Sequence, residues 1–391
     1  MAACEALESF TATQIITAGA IHAEARVRYK RPGMITVEYH SYQDPLTEFE
    51  ERYTGGAEFI ADELIGMQFI HKGQSTWIYD TKNNVAIRKP GRVLYSPLRG
   101  ENAIAEIGFL RSLTRDFLLR DKGEEAVFGR SARLLGLKPK TRRRTLLLKE
   151  ELFPVKRATV AFDQETLFPL RIVFYPAAGS ALFYLVGPST PITIEYKDIL
   201  LNTVDEARFT FTPPEGTRVF TEEILTQEAL SEKVPFALPL AALKERAGYE
   251  LYGGRATVTL NEKNDRAYAH LALVPSAAEG DKNESALSLR VGNYLSLNMN
   301  RRRALIAENG EPLSLGEVEA RFLDRGEMLK GDLPAGMERS IMEISWEHDG
   351  VYWFLLGDGL EKEALIAAAN TLVHPPKEEP AVEEDSAKSG A

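Results

Sequence analysis

The chain of 391 residues contains a single cysteine, Cys4, so no intramolecular disulfide can form and cysteine usage leaves the redox compartment open. No apolar run approaches the roughly 20 residues of a membrane-spanning helix, so any membrane association is expected to be peripheral or by an anchor. The six histidines, His22, His40, His71, His270, His348 and His374, are scattered without metal-ligand spacing. A nucleophile elbow, a Walker loop and a dinucleotide fingerprint are all missing. The expectation is a protein that is not an enzyme and that uses no cofactor and no metal. A net charge of -10 leaves no general basic face for phosphates, which excludes nucleic acid as a partner. The runs Arg142-Arg143-Arg144 and Arg301-Arg302-Arg303 are local exceptions and read as solvated loop or strand edge. The densest polar cluster, "WEHDG" (Glu347, His348, Asp349), falls where a hairpin turn is expected rather than at an acid–base site.

With 44% hydrophobic and 27% charged residues, the composition is that of a soluble globular protein, and the length suggests two domains. The opening Met1-Ala2-Ala3-Cys4 has the look of the end of a lipoprotein signal, whose cysteine is acylated. The charged and apolar segments of such a signal are not seen, so "ACEALESF" is read as a helix, with an export segment trimmed away or never present.

From Ser9 to about Phe220 the apolar period is mostly two. In "MITVEYH", Ile35, Val37 and Tyr39 alternate with Thr36, Glu38 and His40, which marks an antiparallel strand with one dry face. Ala158, Val160 and Phe162 repeat the pattern, as do Leu170, Ile172 and Phe174, and "DQETLF" joins the two runs as a turn. In "FIHKGQSTWIYDTKNNVAIRKP", turn residues flank a strand Ser75 to Tyr79, with Trp77 and Tyr79 on one face. Further short strands are expected near 12–17, 24–30, 47–53, 57–61, 84–88, 131–137, 144–149, 181–186 and 191–197. Helices do not alternate with these strands, so one long antiparallel sheet is favoured over a parallel α/β layout.

One helix is expected inside this unit, Glu101 to Arg120. Its apolar residues, including Ile104, Ile107, Leu110, Leu113, Phe117 and Leu118, cover more of the circumference than a surface helix needs. It could be wrapped by a curved sheet; periodicity alone fits an ordinary core helix equally well. "FTFTPPEGTRVF" closes the unit, and a charged stretch, 223–234, is read as a linker. Residues 235–374 read as a smaller α+β domain with strands in "ATVTL", "SALSLRV" and "MEISWEHDGVYWFLLG" and a closing helix "LEKEALIAAANTLV". "AAEGDKNES" reads as a loop and 375–391 as a disordered acidic tail. Trp346, Tyr352, Trp353 and Phe354 are a possible surface for a protein partner, although strand alternation puts at least one side of that strand in the core.

Taken in order, "ALESFTAT", "RYKRPGMITVEY", "GQSTWIYDTKNNVAIRKP", "KRATVAFDQETLFPLRIVFYP" and "FTFTPPEGTRV" make residues 5–222 resemble the superfamily of the outer-membrane lipoprotein carrier LolA, which includes the N-terminal domain of RseB-type stress regulators. The resemblance implies a curved, unclosed antiparallel half-barrel wrapped around helices, with an apolar cavity for acyl chains. The second domain resembles a small module of unknown function fused to LolA-like domains in Gram-positive-type envelope proteins. Carried onto this chain, the cavity lining is expected to comprise Val37, Tyr39, Phe69, Trp77, Tyr79, Ile107, Leu110, Leu113, Phe117, Val160, Phe162, Ile172 and Phe174. Trp77 and Tyr79 are expected to face inward against the helix.

The energy scale suits such a ligand. Burying about 14 methylenes gains on the order of 10 kcal/mol before association costs, and no catalytic group is required. The expected function is therefore an extracytoplasmic, non-catalytic carrier or sensor of lipid or lipoprotein acyl chains. The alternative is an RseB-like regulator that binds an anti-sigma factor or other envelope protein, with the C-terminal domain helping to hold the partner.

Overall fold

A computed structural model describes residues 7–44, 61–91, 93, 113, 117–140, 155–176, 190–276, 286–328 and 340–375. The chain divides into two compact units, the first Met1–Glu223 with Thr259–Lys263, the second Ile224–Val258 with Asn264–Ala391.

Unit 1 is built on strands β1 (Ser9–Ala18), β2 (Ile21–Lys30), β3 (Met34–Gln43), β4 (Met67–Lys72), β5 (Ser75–Asp80), β6 (Val85–Pro90), β7 (Phe117–Val127), β8 (Arg130–Pro139), β9 (Val155–Asp163), β10 (Pro169–Pro176), β11 (Ile192–Leu201) and β12 (Arg218–Thr226), with a short helix α1 (Ala61–Leu64). Their pairing order is β7-β8-β9-β10-β11-β1-β2-β3-β4-β5-β6-β12. Every pair is antiparallel except β6 with β12. Among the described residues β7 pairs with β8 alone and does not meet β12, so the sheet is unclosed.

The one parallel pair dictates a crossover, because a chain leaving β11 in the middle of the sheet must pass over one face to reach the far edge beside β6. The segment between β11 and β12 makes that passage. Val204 and Phe209 pack with Met34 of β3, the Lys30 ammonium donates to the Val204 carbonyl at 3.3 Å, and Lys72 pairs with Glu206 at 2.9 Å. Phe211 then lies on Trp77 and Tyr79, and Asn84 ties the far end by accepting from the Thr217 hydroxyl at 2.8 Å.

Unit 2 contains β13 (Tyr249–Leu251), β14 (Arg255–Asn261, shared with unit 1), β15 (Ala267–Pro275), β16 (Ala286–Gly292), β17 (Glu311–Leu315), β18 (Val318–Asp324), β19 (Ile341–His348) and β20 (Val351–Asp358), with helices α2 (Gln227–Lys233), α3 (Leu297–Asn309), α4 (Arg325–Met328) and α5 (Lys362–Val373). The antiparallel order β13-β15-β16-β20-β19-β18-β17 is continuous. Asp349 and Gly350, both with positive φ, form the two-residue turn of the β19–β20 hairpin, the role expected of "WEHDG". On β20, Phe354 packs with Met299 and Ile306 of α3, and on the other face Trp353 stacks on its cross-strand neighbour Trp346 at 5.6 Å. Trp346, Trp353 and Phe354 are buried and Tyr352 is half-buried, so these rings are core and not an exposed partner surface.

Several expectations change. Phe117 to Arg120 open β7 instead of closing a helix; a Phe-Leu-Leu run satisfies helical and extended periods alike, and pairing with β8 decides between them. Leu113 is helical and buried, while the rest of 101–116 lies outside the described residues. Ser9 and Phe10 begin β1 rather than ending a helix. The stretch 223–234, read as a linker, carries the end of β12 and α2, whose first turn is capped by Thr226 accepting from the Ala229 amide. Arg302, read as solvated, is buried on α3 and paired with Glu343. Strands expected at 47–53, 144–149 and 181–186, the 277–285 loop, Arg142–Arg144, Cys4 and residues 376–391 lie outside the described residues, while the strand expected at 57–61 reaches them only at Ala61, which begins α1.

Candidate functional site

Directly paired residues in a sheet project to the same face, so the registers define which side chains share a surface. One row runs Leu135, Val160, Ile172, Ile194, Ile16 and Ala23 across β8, β9, β10, β11, β1 and β2. A second runs Ala12, Val27, Val37, Phe69, Ile78, Ile87 and Phe220 across β1 to β6 and β12. Between them lie Tyr196, Gln14, Ala25 and Tyr39. We term this the inner face; it runs from β8 to β12.

Most of it is buried: Val160, Ile172, Ile194, Ile16, Val27, Val37, Phe69 and Ile78 are each no more than 1% exposed. The middle strands present the small side chains Ala12, Ala23 and Ala25, each no more than 1% exposed. An aromatic group closes one end: Phe10 meets Tyr29, Phe168 and Tyr196 at ring separations of 5.6, 5.2 and 6.3 Å. Gln14 donates through Nε2 to the Tyr196 hydroxyl at 2.9 Å, a polar pair within the apolar field. Toward the opposite edge exposure rises: Leu137 is buried, whereas Leu119, its partner on β7, is 42% exposed.

The face turns polar at β4 to β6. His71 and Thr76 share a hydrogen bond of 3.1 Å, the Thr76 hydroxyl donates to the Gly91 carbonyl at 2.9 Å, and Lys89 pairs with Glu222 at 2.8 Å. Asp80 is engaged in turn capping, accepting from the Lys82 and Asn83 amides. These groups satisfy one another in place and assemble no nucleophile with a base. Among the described residues no three His, Cys, Asp or Glu side chains converge on a metal-sized point.

The residues expected from sequence divide cleanly. Val37, Tyr39, Phe69, Val160, Ile172 and Phe174 lie on the inner face and are buried. Phe162, two positions beyond Val160, is half-buried opposite Arg133. Phe117 is buried at the start of β7, two positions before Leu119. Ile107 and Leu110 are outside the described residues. Trp77 and Tyr79 are on the opposite face: the partner of Phe69 is Ile78, so Trp77 opposes Ile70 and Tyr79 opposes Gln68. Their cover is Phe211 of the crossover, at 5.4 and 5.2 Å. Alternation groups residues by face but does not say which face points inward, and the larger rings belong to the outer one. Phe10, Gln14, Tyr29 and Tyr196 escaped notice; "TATQIITA" carries an alternating Ala12, Gln14, Ile16, Ala18 signal that the amide of Gln14 conceals.

No family model matches the chain. Its sequence is 22% identical over 377 residues to the uncharacterized protein MJ0687 of Methanocaldococcus jannaschii, an alignment covering 94% of this chain and 88% of that one. Among solved structures, the MucA/MucB complex of Pseudomonas aeruginosa is similar at 12% identity, covering 92% of this chain and 91% of that chain, with a TM-score of 0.29. The Mycobacterium tuberculosis lipoprotein LppX is similar at 14% identity over 52% of this chain and 92% of that chain, TM-score 0.31. The LolA superfamily protein NE2245 of Nitrosomonas europaea is similar at 15% identity over 52% and 91%, TM-score 0.23.

Proposed function

We propose that unit 1 is a non-catalytic carrier or sensor that holds the acyl chains of a lipid or lipoprotein against the inner face of its open sheet, in the extracytoplasmic space of the cell envelope. The observation that carries this reading is the face itself, on which rows of apolar side chains cross eleven strands and whose centre is lined by Ala12, Ala23 and Ala25. A packed core gains by filling such a centre with large side chains, whereas a receptor for hydrocarbon leaves it small. Each methylene brought onto the face gains about 0.8 kcal/mol, so affinity needs no ion pair or metal. The exposed Leu119 at the β7 side offers an apolar approach.

The sequence resemblance to LolA-like domains supports the same ligand class. Native mass spectrometry of protein purified from its own host, followed by lipid extraction, tests it. The expected result is a mass increment lost on extraction and recovered as acyl species. A preparation free of lipid but carrying a stoichiometric polypeptide would replace this reading with that of a protein-binding regulator.

A further inference from the structure

Among the described residues, seven that are not glycine hold φ in the left-handed region, and five of them are Asn84, Asp198, Asn202, Asn264 and Asp349. Asparagine and aspartate tolerate that conformation because their short side chains hydrogen-bond locally. The two exceptions are Phe128, φ 48°, and Leu167, φ 58°. For bulky apolar residues this backbone is an outlier, and such outliers cluster where function requires them. Burial does not compensate here: Phe128 is 52% exposed and Leu167 46% exposed.

Both sit on hairpin tips where asparagine or glycine is the ordinary choice, Phe128 before Gly129 between β7 and β8, Leu167 at the end of the loop between β9 and β10. The two tips form one rigid end. Arg130 donates through Nε and Nη2 to the two carboxylate oxygens of Asp163 at 3.1 and 2.8 Å, and the Gln164 amide donates to the Ser131 carbonyl at 3.0 Å. Strand β11 brings a third exposed side chain, Leu200 at 59%, to the same end, since pairing of Arg171 with Glu195 carries its last residues past the start of β10. Next to Leu167, Phe168 turns inward onto Phe10 and Tyr196, at 5.2 and 5.5 Å, so the tips border the aromatic end of the inner face.

We propose that Phe128 and Leu167, with Leu200, insert into the interfacial region of a lipid bilayer and bring that end of the inner face to it. The choice of a bilayer over a protein groove rests on the acyl-chain reading above and on the form of the surface. Apolar side chains protruding singly from rigid tips suit the headgroup boundary, which accepts shallow insertion. The flanking charges are of both signs, Arg130 neutralised by Asp163 with Glu165 exposed beside them, so anionic lipid is not required and salt should not release the protein.

Flotation of the full chain with phosphatidylcholine vesicles, at low and high salt, tests the assignment against the double variant Phe128→Asn, Leu167→Asn. Asparagine relieves the backbone at both positions, so the variant should melt at the same temperature or higher while its vesicle-bound fraction falls by at least about tenfold. Acyl species copurifying with the variant should match those of the wild type. A wild type that stays at the bottom of the gradient, or a variant that floats equally well, overturns the proposal. If neither protein copurifies with lipid yet only the wild type floats, the inner-face reading fails and the tips keep their role.

Discussion

Replacing Glu343 by glutamine tests the physical account of unit 2 most sharply. The carboxylate is fully buried in β19 and accepts at one oxygen from Arg302 Nε and Nη2, at 2.7 and 2.6 Å, and at the other from Arg325 Nε and Nη2, at 2.8 and 2.5 Å. Both arginines are at most 2% exposed. Burial alone would raise the carboxyl pKa, but the two guanidiniums overcome it and bring the value down to about 2 from 4.5. A depressed carboxylate pKa contributes stability that is complete above about pH 4.5 and disappears as pH falls toward 2; the shift corresponds to on the order of 3 kcal/mol. Glutamine removes that charge and turns an amide N–H toward a guanidinium, so the direct cost at neutral pH is about 3–5 kcal/mol. Trp346 and Trp353, stacked and buried in the same unit, report its unfolding in urea by fluorescence, and a Trp77→Phe background silences the third tryptophan. The variant should lose several kcal/mol at pH 7 and show a flatter pH dependence than wild type between pH 4.5 and 3. A loss below about 1 kcal/mol, or identical slopes in that window, refutes the reasoning.

Three further outcomes are expected. Burial, with Arg290 and Arg302 nearby, lowers the pKa of His270 to about 3, so stability intact above pH 6.5 declines as pH falls; His270→Gln should flatten the urea-derived stability between pH 6.5 and 4.5 by about 2 kcal/mol. Phe211→Ala uncovers Trp77 and Tyr79 on the outer face and should cost about 2 kcal/mol by denaturant titration of unit 1, with copurifying lipid unchanged. Ala25→Phe puts a ring over the centre of the inner face and should displace copurifying acyl species, measured by extraction, with a small change in melting temperature; retained lipid together with a loss above about 3 kcal/mol would show a centre already filled by protein.

What was legible in the sequence follows the physics of each signal. Period-two alternation exposes strands wherever one face is dry, and β3, β5, β9, β10 and the β19–β20 hairpin were all readable that way. Apolar residues on the wetter face blur alternation, and in "AYAHLALVP" of β15 Ala272 and Val274 on that face mask the buried row Ala267, Ala269, Leu271 and Leu273. Helix α3 was hidden for a different reason: "LNMNRRRALIAEN" buries Arg302 and Asn298 among its core residues, so no apolar stripe marks it. Val37, Tyr39, Phe69, Val160, Ile172 and Phe174 share one buried face because they lie on strands with regular alternation. Trp77 and Tyr79 lie on the face opposite Val37 and Phe69, because alternation within one strand does not reveal that Phe211, far downstream, packs on that face.

That crossover also decides which face of the sheet the chain covers with its own connection. A sheet of twelve strands has two faces to protect, and the connection between β11 and β12 covers the outer one. Phe209, Phe211 and Val204 supply the cover with side chains from an irregular segment, held by Lys30 and Lys72. Because the connection ends in a strand parallel to β6, it also occupies the edge that would otherwise invite pairing with another chain. At the opposite edge β7 protects itself differently, with charged residues and an irregular register between Asp121 and Glu124 where Gly123 adopts φ 95°. Its first residues, Phe117 to Leu119, are apolar, and of these Leu118 and Leu119 are exposed. Among the described residues the β6 edge is therefore covered by β12, while the β7 edge is guarded by charge and an irregular register.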